Sequence, residues 1–213
     1  MAILSASFNI HDIIFHCSEH RETVQPGRTT TMGRLPYPKF HSELDSPKHE
    51  TLNVFKILSY SPSTVNHWIN IGHAHFKSLS LTKRDRELAI FLSTAKFKST
   101  YEWTHHLAGA SRVGITKSQL VELEAAGSST QYFGSRKFRA EAGFSGRDVL
   151  LLSLVEAIIE HPHVSDDLWA NAKKVFSERE IVELISIQGF YYTLSRLTTV
   201  VDIDLDAHAK AKL

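Results

Sequence analysis

A chain of 213 residues, 42% hydrophobic and 22% charged, holds enough apolar material for one ample folded core and too much for general disorder. Its 24 basic and 23 acidic residues leave a formal net charge of +1, which excludes a global basic field for nucleic acid or an anionic membrane surface. The single cysteine, Cys17, excludes an intrachain disulfide, a dithiol redox couple and an all-cysteine metal site, and no apolar run approaches the ~20 residues of a membrane span.

The N-terminus lacks the basic start and small-residue cleavage pattern of a secretory signal. Residues 1–31 read as an extension, with Gln25-Pro26-Gly27 and a Thr29-Thr30-Thr31 run, and Met32 offers a second start. Two prolines in Gly33-Arg34-Leu35-Pro36-Tyr37-Pro38 forbid a helix and predict an extended arm. A domain over 32–205 follows, then a tail over 206–213.

From residue 51 the periodicity is helical. Leu52, Val54, Phe55 and Leu58 make one apolar face, and Ser61-Pro62 ends that helix and opens the next. Thr82 with Asp85 three residues later is an N-terminal capping signal before Leu88, Ile90, Phe91 and Leu92. Ser99 or Thr100 caps a helix that stops near Gly114, and Thr116 with Gln119 opens another that stops at Gly127. Residues 128–147 read as an irregular connection before an apolar helix over 148–160. Ser165 caps a short helix, and Ser177 with Glu180 opens a long one toward Val200. Thr82-Lys83-Arg84-Asp85 and Ser177-Glu178-Arg179-Glu180 echo each other, which a shared helix-start signal explains as well as a duplication. No strand-type alternation is sustained, so the expected architecture is an all-α helical bundle with an extended N-terminal arm.

The stretch richest in chemistry is Ser99-Thr100-Tyr101-Glu102-Trp103-Thr104-His105-His106. On a helix Glu102 and His106 lie one turn apart, and Ser99 shares their face. A carboxylate beside an imidazole raises its proton affinity and orients the ring, and such a pair moves protons near neutral pH. Glu and His at this spacing are also ordinary surface neighbours worth a few tenths of a kcal/mol. Trp103 and Tyr101 suit either an apolar pocket wall or plain core.

Arg86-Glu87-Leu88-Ala89-Ile90, then Tyr101-Glu102-Trp103 and His106, then Ala110 and Gly114, resemble the signature of the carboxymuconolactone decarboxylase and alkylhydroperoxidase D superfamily. The arm at 33–38 and the run Phe176-Ser177-Glu178-Arg179-Glu180 resemble it too, and the likeness spans residues 32 to 200. The resemblance implies an alkylhydroperoxidase D-like helical fold, assembly as a dimer, trimer or hexamer, and a proton relay of Glu87 and Glu102 around His106. The peroxidase branch's two redox cysteines fall on Ser99 and Glu102, so its thiol chemistry does not carry over. The cofactor-free acid–base chemistry of the decarboxylase branch does. Many relatives carry His-Tyr-Asn after a glycine in the last helix. Gly189 is followed instead by Phe190-Tyr191-Tyr192, which implies a more apolar pocket and a ligand other than carboxymuconolactone.

The expected enzyme is therefore a cofactor-independent decarboxylase, isomerase, dehydratase or cyclase on a small carbonyl or lactone compound, in aromatic catabolism or secondary metabolism. His106, Glu102 and Glu87 are its catalytic groups, with Ser99, Trp103, Tyr191 and Arg86 contacting substrate. Arg86 and Arg112 suit a substrate carboxylate, although Arg86 suits a structural ion pair equally. The alternatives are a peroxidase-like antioxidant protein using a thiol donor and a non-catalytic oligomeric metabolite-binding protein. No metal is expected: His16-Cys17 with His20, His161 with His163, and His73 with His75 each fall short of a ligand set. The last residues, Ala211-Lys212-Leu213, are a close variant of the Ser-Lys-Leu peroxisomal address. They imply capture by a peroxisomal import receptor, the location being cytoplasmic otherwise.

Overall fold

A computed structural model describes residues 33–38 and 51–210. The extension, the His16-Cys17-His20 cluster and the Ala211-Lys212-Leu213 address lie outside the described residues. Regular structure within them is helical throughout, as the periodicity predicts. The helices are α1 (Asn53–Leu58), α2 (Pro62–Lys77), α3 (Lys83–Lys96), α4 (Thr100–Ala110), α5 (Lys117–Ala126), α6 (Gly146–Glu160), α7 (Asp166–Val175), α8 (Glu178–Val201) and α9 (Ala207–Lys210).

Local chemistry sets the boundaries. Thr82 and Ser99 side chains accept from the backbone N–H of Asp85 and Glu102, and reciprocal capping boxes start α5 at Thr116/Gln119 and α8 at Ser177/Glu180. The short 3₁₀ turn after α4 stops at Gly114, whose φ of 74° is the left-handed conformation that glycine adopts without steric cost. At Gly127 the constraint is space: a Cβ there would lie 2.6 Å from the Ala95 carbonyl oxygen.

Helix α3 is the axis of the bundle. Leu88, Ala89, Ile90, Phe91 and Leu92 are all fully buried, because α4, α5, α6 and α8 each pack against a different side of it. A helix enclosed this way is apolar around most of its circumference. Arg147 on α6 ties the two echoing helix starts together, reaching Asp85 at 2.9 Å and Glu180 at 2.7 Å. Lys96 and the backbone N–H groups of Tyr132, Phe133 and Gly134 converge on Glu156, which fixes the irregular connection to α6.

The arm at 33–38 is non-helical, as its prolines require. Arg34 donates backbone and side-chain hydrogen bonds to the carbonyls of Val201 and Val200 at the end of α8. Gly33 allows this approach, since a Cβ would sit 2.7 Å from the Asp202 carbonyl oxygen. Within the segment expected as a tail, Asp206 and Ala209 are buried. Asp206 makes the hydrogen bonds that hold this segment in place.

Candidate active site

Helices α3 and α4 run side by side, and Glu87 in the middle of α3 faces the second turn of α4. Its Oε2 lies 2.7 Å from Nδ1 of His106. A carboxylate only accepts, so Nδ1 carries the proton in this bond and Nε2 of the neutral ring is the acceptor. The Tyr191 hydroxyl on α8 lies 3.0 Å from Nε2 and donates to it. Glu87, His106 and Tyr191 thus form one continuous hydrogen-bonded chain across three helices.

The electrostatics suit these roles. Burial pushes the Glu87 carboxyl up, but the hydrogen bonds and charges of His106 and Arg86 outweigh it and hold the group below the usual carboxylate value. Burial raises the Tyr191 phenol well above its ordinary value, so it stays protonated and donates. Arg86 lies 2.9 Å from Glu87 Oε1, donates to the Phe76 carbonyl at 3.2 Å and stacks 4.3 Å from the Phe76 ring. Arg86 forms the structural ion pair and also lines the cavity at the end of this hydrogen-bonded chain.

The chain ends at a cavity of about 750 Å³. Phe55, Ile69, Gly72, Phe190 and Leu194 line its apolar side, while Glu87, Glu102, His105, His106 and Tyr191 line the other. Phe190 stands in the cavity wall, in keeping with the apolar pocket expected from Phe190-Tyr191-Tyr192. Tyr192 instead packs against Phe97 on the outside, with ring centroids 5.1 Å apart. Exposed Arg112 also lines the cavity.

Three of the expected site residues make other contacts. Glu102 does not hold the His106 ring; Glu87 from the neighbouring helix occupies Nδ1 and Tyr191 occupies Nε2. Ser99 does not line the cavity, because its hydroxyl caps α4 and bonds Thr198 Oγ1 at 3.0 Å. Trp103 does not line it either, packing edge-on against Phe91 with centroids 4.9 Å apart. Adjacency on a helix face fixes direction only to within a quadrant, and the neighbouring helices decide which side chain meets which.

Glu102 is 4% exposed, and its Oε1 has no hydrogen-bond partner. Burial, tempered by His105 and reinforced by Asp206, pushes its carboxyl up to about 7. Sequence reasoning missed the neighbouring network. Asp206 accepts from the Tyr101 hydroxyl and the Asn53 backbone N–H, and lies 3.0 Å from His105 Nε2. The Tyr101/His105 spacing of four was the available signal, but the third partner is 101 residues from His105. Of the histidine pairs, His75 bonds Ser186 at 3.0 Å while His73 faces the cavity. His161 and His163 line a second cavity of about 580 Å³, and no cluster of three or more candidate metal ligands occurs among the described residues.

No protein-family model and no curated protein matches the chain. Several solved structures share its architecture, including these two. One is a protein of unknown function from Agrobacterium tumefaciens, thought to be an antioxidant defence protein of the AhpD type, at 15% identity and a TM-score of 0.58, covering 71% of this chain and 96% of that one. The other is a cysteine-to-alanine variant of the debrominase Bmp8 in complex with 2,3,4-tribromopyrrole, at 13% identity and a TM-score of 0.58, covering 76% of this chain and 81% of that one. The chain accordingly has the all-helical fold of this AhpD-type protein and of Bmp8.

Proposed function

We propose that the protein is a cofactor-independent acid–base enzyme acting on a small carbonyl or lactone compound, with Glu87, His106 and Tyr191 as its proton relay. The observation that carries this reading is the unbroken Glu87–His106–Tyr191 chain opening on a large, mostly apolar cavity. A carbon acid seated at the Tyr191 oxygen gives its proton to that oxygen as the phenol's own proton passes to His106 Nε2. The resulting imidazolium lies between the Glu87 carboxylate and Tyr191, and the reverse movement returns a proton to the substrate carbon. Isomerisation and dehydration pass through the enolate formed this way; decarboxylation of a β-keto acid reaches the same species by loss of CO2, and its carbon then takes up a proton by the reverse movement. A thiol-dependent peroxidase is less compatible with Ser99 and Glu102 at the redox positions.

The test is deuterium exchange from solvent into the α-carbon of a panel of cyclic ketones and lactones. Wild-type protein should accelerate it, and His106→Ala and Tyr191→Phe should each slow it by about 10²–10⁴, the usual contribution of a positioned acid–base group. A folded His106→Ala protein that exchanges at the wild-type rate would refute the relay. The same reading has the chain act as a homo-oligomer, with the exposed Val182, Ile185, Tyr192 and Val200 on α8 as candidate contacts, and reach the peroxisome through Ala211-Lys212-Leu213. Sedimentation of a Val182→Lys variant and a reporter carrying the last residues test these two points.

A further inference from the structure

The relay accounts for one side of the cavity's polar half and leaves Glu102 unused. Glu102 lines the same cavity, is 4% exposed, and no group of the protein bonds its Oε1. A buried carboxyl without a partner is costly, whether charged or neutral, unless a ligand completes it. The charged and titratable groups on the elements packed against it are committed elsewhere, and His73, Lys83 and Arg112 also line the cavity. On α3, Glu87 bonds both Arg86 and His106. On α8, Tyr191 donates to His106. On its own helix, Tyr101 and His105 are drawn to Asp206 of the C-terminal segment. With Glu87 and Asp206 both held low by their partners, Glu102 is the carboxyl of this group that burial favours in its neutral form.

We infer that Glu102 is a substrate-contacting acid whose protonated carboxyl donates a hydrogen bond to the carbonyl oxygen of an enolisable, largely apolar substrate, while the Tyr191 end of the relay faces the adjacent carbon. This rests on the relay reading and names the substrate class for it. The apolar body of the substrate lies against Phe55, Ile69, Phe190 and Leu194. When the C–H bond breaks, its electron pair moves through carbon onto the carbonyl oxygen. The Glu102 O–H then stabilises the enolate where charge develops. A carboxylate at this position repels the same oxygen, so only the neutral acid works. Position 102 is where the peroxidase branch's second redox cysteine would stand, and here it holds a proton donor.

Ring-substituted phenols, which mimic an enol without turning over, are the probe. Their affinity for wild-type protein, followed by calorimetry from pH 5.5 to 8.5, should be level at acid pH and fall by about tenfold per pH unit above 7. Glu102→Gln keeps a donor that does not ionise, so its affinity should stay level over that range, whereas His106→Ala should retain the wild-type fall. A pH-independent wild-type affinity, or an unchanged fall in Glu102→Gln, would overturn the inference. Infrared difference spectra of wild-type protein give a second readout that requires no variant. A protonated-carboxyl band should titrate near pH 7 and shift when phenol binds; its absence at pH 6 would also overturn the inference. Because binding is read without turnover, failure here leaves the relay intact, and loss of the relay leaves phenol binding measurable.

Discussion

Replacing Glu87 by glutamine keeps the side chain's shape and removes the charge that two buried groups share. Oε2 accepts from His106 Nδ1 at 2.7 Å and Oε1 from Arg86 at 2.9 Å, with Glu87 only 4% exposed. Each is a charge-assisted bond of about 1.5–3 kcal/mol. The amide still accepts one of them in weaker form, while the Arg86 cation is left without its counter-charge. The expected loss at pH 7 is about 2–4 kcal/mol, or a fall in Tm of roughly 4–16 °C for a domain of this size. The pH dependence has a definite sign. The folded Glu87 pKa lies below its unfolded value, so its contribution is present above the unfolded pKa and lost as pH falls through the folded one. Urea denaturation of wild type and Glu87→Gln should therefore differ most near neutrality and converge below pH ~4. A double-mutant cycle with His106→Ala should give a coupling of about 1.5–3 kcal/mol at pH 7. A loss under 1 kcal/mol that stays constant with pH would refute the buried-pair account.

Asp206→Asn should loosen the junction of α1, α4 and the C-terminal segment. It weakens the bonds from Tyr101, His105 and Asn53 together, and a loss of about 2–3 kcal/mol is expected in chemical denaturation. Since Asp206 is held below its ordinary pKa, that loss too should shrink on acidification. Gly33→Ala should act locally: a Cβ 2.7 Å from the Asp202 carbonyl oxygen displaces the arm from the end of α8. Limited proteolysis should then cut near residues 33–38 more quickly, with Tm changed by no more than a few degrees.

The helix boundaries were legible because their causes are local. Thr82, Ser99, Thr116 and Ser177 each bond a backbone N–H three residues on, and Gly114 adopts a conformation that its own lack of a side chain permits. The pairing of Glu87 with His106 was legible only through resemblance, since 19 residues and a helix turn separate them. The spacing of Glu102 and His106 says which residues share a face, not which neighbour from another helix reaches the ring first. Asp206 was assigned to a tail because a single aspartate after a helix end carries no periodic signal. Its partners at Asn53, Tyr101 and His105 come from far earlier in the chain.

Two sets of helices build the cavity. The proton-handling groups stand on α3, α4 and α8, the interlocked centre of the bundle, whereas Phe55, Ile69 and Gly72 stand on the peripheral α1 and α2. Part of the apolar wall is thus encoded apart from the reactive groups, while Phe190 and Leu194 flank Tyr191 on α8 itself. A laboratory library confined to residues 52–76 would explore new shapes of guest at fixed chemistry, with Gly72 the tightest point because a Cβ there meets the Phe190 ring at 3.3 Å.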